Sequence, residues 1–373
     1  MAKKRIEIAS EADLSAAITG AEDPFCVLGG GTRGIEAEGQ GLSVAGLRGI
    51  TLYEPGALTL VAQAGTPVAE IEKELAKHNQ RLAFEPMDHR GLLGRKGNPT
   101  IGGVFAANVS GPRRIAVGAA RDFLLGVRFV DGQGRIIKNG GRVMKNVTGY
   151  DLVKLMAGSF GTLGVLSEVS LKVLPAPETE ATLVVSGLSD VAAVEMLSRG
   201  MGSPYEVTGA AHDPGAGQTL MRVEGFQDSV QYRVEQLRGV IGTADPEVLE
   251  PKDSRTRWKA VRDVAAFQGI EGDVWRVSCK PSDGPGLAEK AAADGRVFDW
   301  AGGLLWLRVA PGTDLRARLG IFDGHATLIR SDAATKAQFG TFQPETAGVA
   351  KLSAGLRARF DPKGLFNAGL MGS

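Results

Sequence analysis

The sequence predicts an α+β protein of two domains. Three observations carry that expectation. The chain has 373 residues, more than one typical domain holds. Leu174-Pro175-Ala176-Pro177-Glu178 breaks the pattern with closely spaced prolines and acidic neighbours. The rhythm also changes across that break, from short strands and glycine loops to longer strands alternating with helices. The expected boundaries are 1–175, 178–345, and a C-terminal helix and tail at 346–373 that returns to the first domain.

Each element has a local reason. Ser10 is an N-cap for a helix over Glu11–Ile18. Phe25–Leu28 is a strand entering the loop Gly29-Gly30-Gly31-Thr32-Arg33-Gly34. Leu42–Val44, Leu47, Ile50 and Leu58–Ala62 read as short strands with Gly and Pro punctuation. Pro67 opens a helix to Lys77, with Val68, Ile71 and Leu75 on one face. Arg121–Asp131 and Arg135–Lys138 flank a glycine turn and predict a hairpin. Tyr150–Met156 is a short helix before Gly158, and Val165–Leu174 a strand.

Beyond the break come strand Thr182–Ser186, helix Val191–Ser198, strands Glu206–Ala210 and Thr219–Glu224, helix Val230–Val240 and strand Pro246–Leu249. That is a ferredoxin-like order. Arg255–Phe267, Val274–Ser278, Gly286–Ala293 and strands 296–299, 304–309 and 325–330 predict further units of the same kind. Ala347–Phe360 is a last helix, ended by Asp361-Pro362. No short-period repeat stands out.

Composition narrows function. Lys+Arg number 43 and Asp+Glu 42, so no global field attracts nucleic acid or an anionic membrane. Aromatic residues are 6%, too few for a base-stacking surface. Cys26 and Cys279 stand apart from any Cys/His array, which argues against zinc or iron–sulfur ligation. Cys26, in Phe25-Cys26-Val27-Leu28, reads as a small core residue. The basic start Met1-Ala2-Lys3-Lys4-Arg5 precedes no apolar run, so neither a signal peptide nor a transmembrane segment is expected, and the default location is cytoplasmic.

Glycine numbers 52 and is concentrated in loops. Three matter: Gly29–Gly34, Ile101-Gly102-Gly103-Val104, and Gly158-Ser159-Phe160-Gly161-Thr162-Leu163-Gly164-Val165, the last preceded by Val143-Met144-Lys145-Asn146-Val147-Thr148-Gly149-Tyr150-Asp151. Together they suggest backbone wrapped around one large phosphate-bearing ligand. Gly29-x-Gly31-x-x-Gly34 fits the dinucleotide fingerprint literally, but that motif needs a helix behind its last glycine. Ile35-Glu36-Ala37-Glu38-Gly39-Gln40-Gly41 has no helical period, so the Rossmann reading fails its context. A nest of backbone N–H groups facing an anion remains, against a plain glycine turn.

These residues resemble a family. Leu28-Gly29-Gly30-Gly31-Thr32, Thr100-Ile101-Gly102-Gly103, Arg121-Asp122-Phe123-Leu124-Leu125-Gly126 and Gly158–Gly164 are similar to the FAD-binding domain of the vanillyl-alcohol-oxidase/PCMH flavoproteins. Val104–Arg114, Met144–Asp151, Trp275-Arg276-Val277-Ser278, Gly324-His325-Ala326-Thr327-Leu328 and Asp361–Asn367 resemble the FAD-binding subunits of bacterial glycolate oxidases. The resemblance spans nearly the whole chain. It implies a PCMH-type domain of two α+β lobes with flavin between them, then a ferredoxin-like cap. It implies FAD contacts at Gly29, Gly30, Gly31, Thr32, Gly102, Gly103, Gly161, Thr162 and Val165. Relatives with covalent flavin place a His where this chain has Thr32-Arg33, so non-covalent FAD is expected. The implied partners are a homologous larger flavoprotein subunit and an iron–sulfur subunit, and the implied substrate is glycolate or a similar small 2-hydroxy acid.

Oxidising a 2-hydroxy acid needs a cation for the carboxylate and a base for the hydroxyl proton. The His-x-Gly-Asp motif of related dehydrogenases is absent, and no catalytic residue is assigned. His78 and His212 are expected at the surface; His325 is expected to be structural; His89, in Pro86-Met87-Asp88-His89-Arg90, lies in a loop that could approach the flavin. Arg113, Arg114 and Arg121 are candidates for anion or partner contact, or form a solvated basic edge. Trp275-Arg276 reads as a packed Trp with an exposed Arg, or as an arginine entering the cleft. Asn367-Ala368-Gly369-Leu370 departs from the family's Asn-Pro-Gly-Arg. The readings left open are a flavin subunit of a complex, a stand-alone dehydrogenase, and a scaffold with a vestigial flavin site.

Overall fold

The computed structural model describes residues 5–35, 37–142, 149–242 and 246–372. The Val143–Thr148 part of the glycine-loop motif lies outside the described residues. Strands Ile6–Glu7, Gln40–Ser43 and Phe25–Leu28 form a small parallel sheet in that spatial order. Ser10 caps the helix Glu11–Thr19, accepting a hydrogen bond from the Asp13 N–H at 3.1 Å, and Leu14 and Ile18 seal it onto the sheet. Leu365 and Phe366 of the C-terminal tail complete this core, beside Phe25 and Leu42.

A second, five-stranded antiparallel sheet has the order Ile50–Glu54, Thr59–Gln63, Val165–Lys172, Leu124–Val130 and Ile136–Gly140. Val165–Lys172 is buried at its start and from Ser167 alternates buried and half-buried residues, the period-2 pattern of a strand with one face in a core. Helix Val68–Ala76 turns Val68, Ile71 and Leu75 into that core.

Residues 179–330 build an eight-stranded sheet. Its first half runs Glu247–Leu249, Thr179–Ser186, Gln218–Gly225, Gly209–Asp213, which is the ferredoxin-like spatial order. Its second half runs Gly295–Asp299, Leu304–Val309, Asp273–Ser278, His325–Arg330. That is the same order read backwards, joined to the first half by the pair His212–Phe298. The fold therefore repeats although the sequence shows no repeat, because each half shares only burial pattern with the other.

Two expectations are corrected. His212 is fully buried, because its strand is Gly209–Asp213 rather than Glu206–Ala210 and lies at the centre of the sheet. Its Nδ1 lies 2.9 Å from Thr219 Oγ1 and its Nε2 3.3 Å from Asp190 Oδ1. Cys26 is half-buried, since its strand turns Phe25 inward instead. Among the described residues no helix is long and apolar enough to cross a membrane.

Candidate active site

A groove runs between the parallel and the antiparallel sheets. Val27, Leu28 and Val44 line one side, Ala64 and Leu166 the other. Gly29, Gly30, Gly31, Thr32, Gly102, Gly103, Gly161 and Val165 all line it. Thr162 is buried behind the wall, where its Oγ1 donates to the Ser159 carbonyl oxygen at 2.7 Å.

The glycines are small for different reasons. A Cβ on Gly30 would lie 1.7 Å from the Asn98 carbonyl oxygen, and one on Gly29 2.3 Å from Thr100 Oγ1. One on Gly102 would lie 2.6 Å from Ala64 Cβ, and the Gly102 N–H already donates to the Ala64 carbonyl oxygen at 2.8 Å. Close packing of the chain on itself needs these three. Gly31 and Gly161 are needed for conformation, with φ +67° and +72°. Around Gly31 a Cβ would meet nothing within 4 Å.

Donors face the groove without protein acceptors. The backbone N–H groups from Gly29 to Arg33 donate to no described group. Arg33 lines the groove, and its Nε is buried without a partner. Burial lowers the Arg33 pKa to about 10, which leaves it protonated at neutral pH. A guanidinium with an unpaired donor beside a run of free N–H groups is a donor set suited to a dianionic pyrophosphate. The residues therefore fit FAD.

The walls are fixed by the tail. Asn367 Oδ1 accepts from the Val27 N–H, and Asn367 Nδ2 donates to the Phe160 carbonyl oxygen, both at 2.7 Å. Phe160, itself left-handed at φ +52°, donates its N–H to the Ala106 carbonyl oxygen at 2.8 Å. Strand Phe25–Leu28, the 158–164 loop and helix Ile101–Ala106 are thus tied together around the groove.

A cluster of cations adjoins Arg33. His89 is half-buried, and burial with repulsion from Arg33 and Arg276 lowers its pKa to about 3, so the ring is neutral. Arg276, on strand Asp273–Ser278, lies 5.1 Å from the centroid of the Trp300 ring, and Arg114 lies 4.5 Å from the same ring. Neither guanidinium has an ion pair or hydrogen bond among the described residues. Burial and Arg114 hold Arg276 down to about 10. His325 faces the same charges, and its pKa is lowered by burial and then by Arg276 and Arg114.

Trp300 is delivered by an unusual turn. Trp300, Ala301 and Gly302 have φ +52°, +56° and +99° in succession. Asp299 Oδ1 accepts from the Trp300 N–H at 2.7 Å, and Trp300 Nε1 donates to the Gly111 carbonyl oxygen at 3.2 Å. Sequence reading missed Trp300, because left-handed non-glycine backbone leaves no signal in residue type.

Other candidates separate. Trp275 is fully packed, as expected, but Arg276 turns inward rather than out. Arg113 is no solvated edge: it is half-buried and paired with Glu85 and Glu224, each at 2.9 Å. Arg121 and His78 are exposed.

Comparison with known proteins agrees with this geometry. The family described as FAD binding domain matches residues 2–140. The solved structures of an alkyldihydroxyacetonephosphate synthase (TM-score 0.70, 15% identity, 97% of this chain and 76% of that one) and a chitooligosaccharide oxidase (TM-score 0.67, 15% identity, 98% and 91%) share the fold. Fold and site define an FAD-dependent oxidoreductase acting on CH–OH groups, with a PCMH-type FAD-binding fold followed by a ferredoxin-like unit. Glycolate oxidase subunit GlcE of Escherichia coli is 35% identical over 340 residues, 89% of this chain and 87% of that protein. The chain belongs to the family of that glycolate oxidase subunit. Glycolate oxidase subunit GlcD of Bacillus subtilis is 45% identical over 85 residues, which span 23% of this chain and 18% of that protein.

Proposed function

We propose that this chain is the FAD-binding subunit of a glycolate-oxidase-type complex. The complex oxidises glycolate or a similar 2-hydroxy acid to the 2-oxo acid, and electrons leave through an iron–sulfur subunit in the cytoplasm. The GlcE relationship supports the complex, and the GlcD match supports a second, homologous flavoprotein as its partner. Gly29, Gly30, Gly31, Thr32, Gly103 and Gly161 hold FAD without a covalent bond, and Arg33 meets its negative charge. FAD, when bound, supplies the two-electron acceptor.

The observation that carries the reading is the pair Arg114 and Arg276, two arginines at one ring that form no salt bridge among the described residues, with only Asp122 and Asp299 acting on them from a distance. A substrate carboxylate provides the missing charge. The hydroxyl proton then needs an acceptor, and His89 is neutral and available. A carboxylate bound at Arg276 removes part of the repulsion that depresses His89, so substrate binding itself makes the ring more basic.

A stand-alone FAD-dependent 2-hydroxy-acid dehydrogenase is the second reading, favoured because Arg276 and His89 both belong to this chain. One experiment separates the two. The purified chain is loaded with FAD and mixed anaerobically with glycolate and with lactate. Bleaching of the flavin band by the isolated chain supports catalysis on this subunit. Bleaching only after the partner subunits are added places the chemistry elsewhere in the complex. No bleaching in either case overturns the proposal, and failure to take up FAD leaves a scaffold.

A further inference from the structure

We propose that a second, polar cavity, between the antiparallel lobe and the eight-stranded sheet, is a binding site for a small dianion of carboxylate or phosphate type. Its lining shares no residue with the flavin groove, so the inference stands apart from the substrate reading above. The cavity measures about 300 Å³. That is room for about ten water molecules, or for one small dicarboxylate or phosphate ester.

The wall of the cavity is a fixed ionic network. Arg113 bridges Glu85 and Glu224, Arg81 reaches Glu224 at 2.5 Å, and Arg222 donates to Glu85 at 3.1 and 3.2 Å. Arg222 also lies 4.5 Å from the centroid of the Trp258 ring. These charges largely satisfy one another, yet Arg81 Nε remains buried with no hydrogen-bond partner.

The rim is not satisfied. Helix Pro251–Arg262 presents Arg255, Lys259 and Arg262 to the cavity, at the spacing of one helical face. Arg262 is paired with Asp263 at 2.8 Å. The side chains of Arg255 and Lys259 make no ion pair or hydrogen bond among the described residues, though Lys259 lies in the field of Glu72. Six cationic side chains thus line the cavity with three carboxylates, Glu72, Glu85 and Glu180, while Glu224 and Asp263 behind the wall hold Arg81, Arg113 and Arg262, so the excess positive charge lies on the rim at Arg255 and Lys259. Burial pushes the carboxyls of Glu72 and Glu180 up, which weakens the opposing negative charge further.

Two unpaired cations on one rim select a dianion over a monoanion. Arg81 comes from the first half of the chain, and Arg255 and Lys259 from the second. A bound dianion therefore links the halves across the ionic network.

Calorimetric titration of the FAD-loaded chain with inorganic phosphate, and separately with malonate, tests this at low ionic strength. The proteins compared are the native chain, the double variant Arg255→Ala/Lys259→Ala, and Arg276→Ala. Both substituted rim residues are exposed, and unchanged thermal unfolding without the probe checks the fold of the double variant. The expected result is saturable 1:1 binding of at least one probe. Its affinity falls at least about tenfold in the double variant and is unchanged in Arg276→Ala. The stronger probe identifies the phosphate or the carboxylate source. Absence of saturable binding, or equal affinity in the double variant, overturns the proposal. Loss of binding in Arg276→Ala alone moves the anion to the Arg114–Arg276 pair at the Trp300 ring, which overturns this site while leaving the substrate reading intact.

Discussion

Arg276 lies 5.1 Å over the Trp300 ring and forms no salt bridge among the described residues, with Asp299 the carboxylate that acts on it. A half-buried guanidinium held this way is poised for a ligand carboxylate. Arg276→Leu is expected to raise KM for a 2-hydroxy acid by roughly 10- to 100-fold, the loss of one charge-assisted contact of about 1.5–3 kcal/mol. FAD content should stay unchanged, because Arg276 does not line the flavin groove. Arg276→Lys should recover part of the affinity, since the charge returns without the planar fork. Steady-state kinetics with flavin absorbance checks both; an unchanged KM in the leucine variant rejects the role.

Asn367 joins two walls of the groove through one buried amide. Its φ of +45° suits Asn better than most residues. Asn367→Ala leaves the Val27 N–H and the Phe160 carbonyl without a partner, at about 1–3 kcal/mol for each group left buried. The expected result is a lower Tm together with weaker FAD binding, measured by thermal unfolding with and without added FAD. A variant that loses Tm but binds FAD as tightly as before would show that the tail supports the fold and not the groove.

The glycine loop separates packing from cofactor roles. Gly30→Ala places a methyl 1.7 Å from the Asn98 carbonyl oxygen and should not yield folded protein. Gly31→Ala meets no neighbour, so its cost is the left-handed φ of +67°, roughly 1–2 kcal/mol. The Gly31 variant is expected to fold and to bind FAD more weakly, since its methyl stands where the loop opens on the groove. Soluble yield and flavin content report the two outcomes, and equal behaviour of both variants would contradict the distinction.

His89 is the other candidate reactive group, in the field of Arg33 and Arg276. Its folded-state pKa is about 3 against 6.5, so the unfolded chain binds the extra proton between those values. The stabilisation from a neutral His89 is present above pH 6.5 and lost as pH falls toward 3. His89→Gln should therefore flatten the acid side of the Tm–pH curve. It should also lower kcat by about 10²-fold or more if the ring accepts the hydroxyl proton. A variant with native kcat removes His89 from the chemistry.

Much of this architecture is legible in residue order. Val68, Ile71 and Leu75 mark one helix face, and the strand–helix rhythm after Pro177 gives the ferredoxin-like order, because burial period is written directly into sequence. The groove is also legible through Gly29–Thr32 and Gly102–Gly103. What is not legible depends on partners far apart in the chain. Gly30 is small because of Asn98, and Arg113 is drawn off the surface by Glu224, 111 residues away. Arg276 reads as exposed until Trp300 is placed beside it, and His212 reads as a loop residue until its strand enters the sheet centre.

Asp299 carries the pH dependence of the turn that holds Trp300. It is buried, and burial raises its pKa to about 7 from 3.8, against the Trp300 N–H, which pulls it down. The unfolded chain ionises first, so the stabilisation Asp299 gives is present below pH 3.8 and is lost as pH rises through 7. Asp299→Asn keeps an oxygen to accept from the Trp300 N–H and removes the buried charge. The variant should match the native protein near pH 4 and exceed it in stability above pH 7, by at most about 4 kcal/mol. Denaturant unfolding at several pH values measures the difference. A gain that is constant with pH, or a loss that grows above pH 7, would mean that the ionised carboxylate is compensated by Arg276 and belongs to the cationic cluster rather than merely capping the turn.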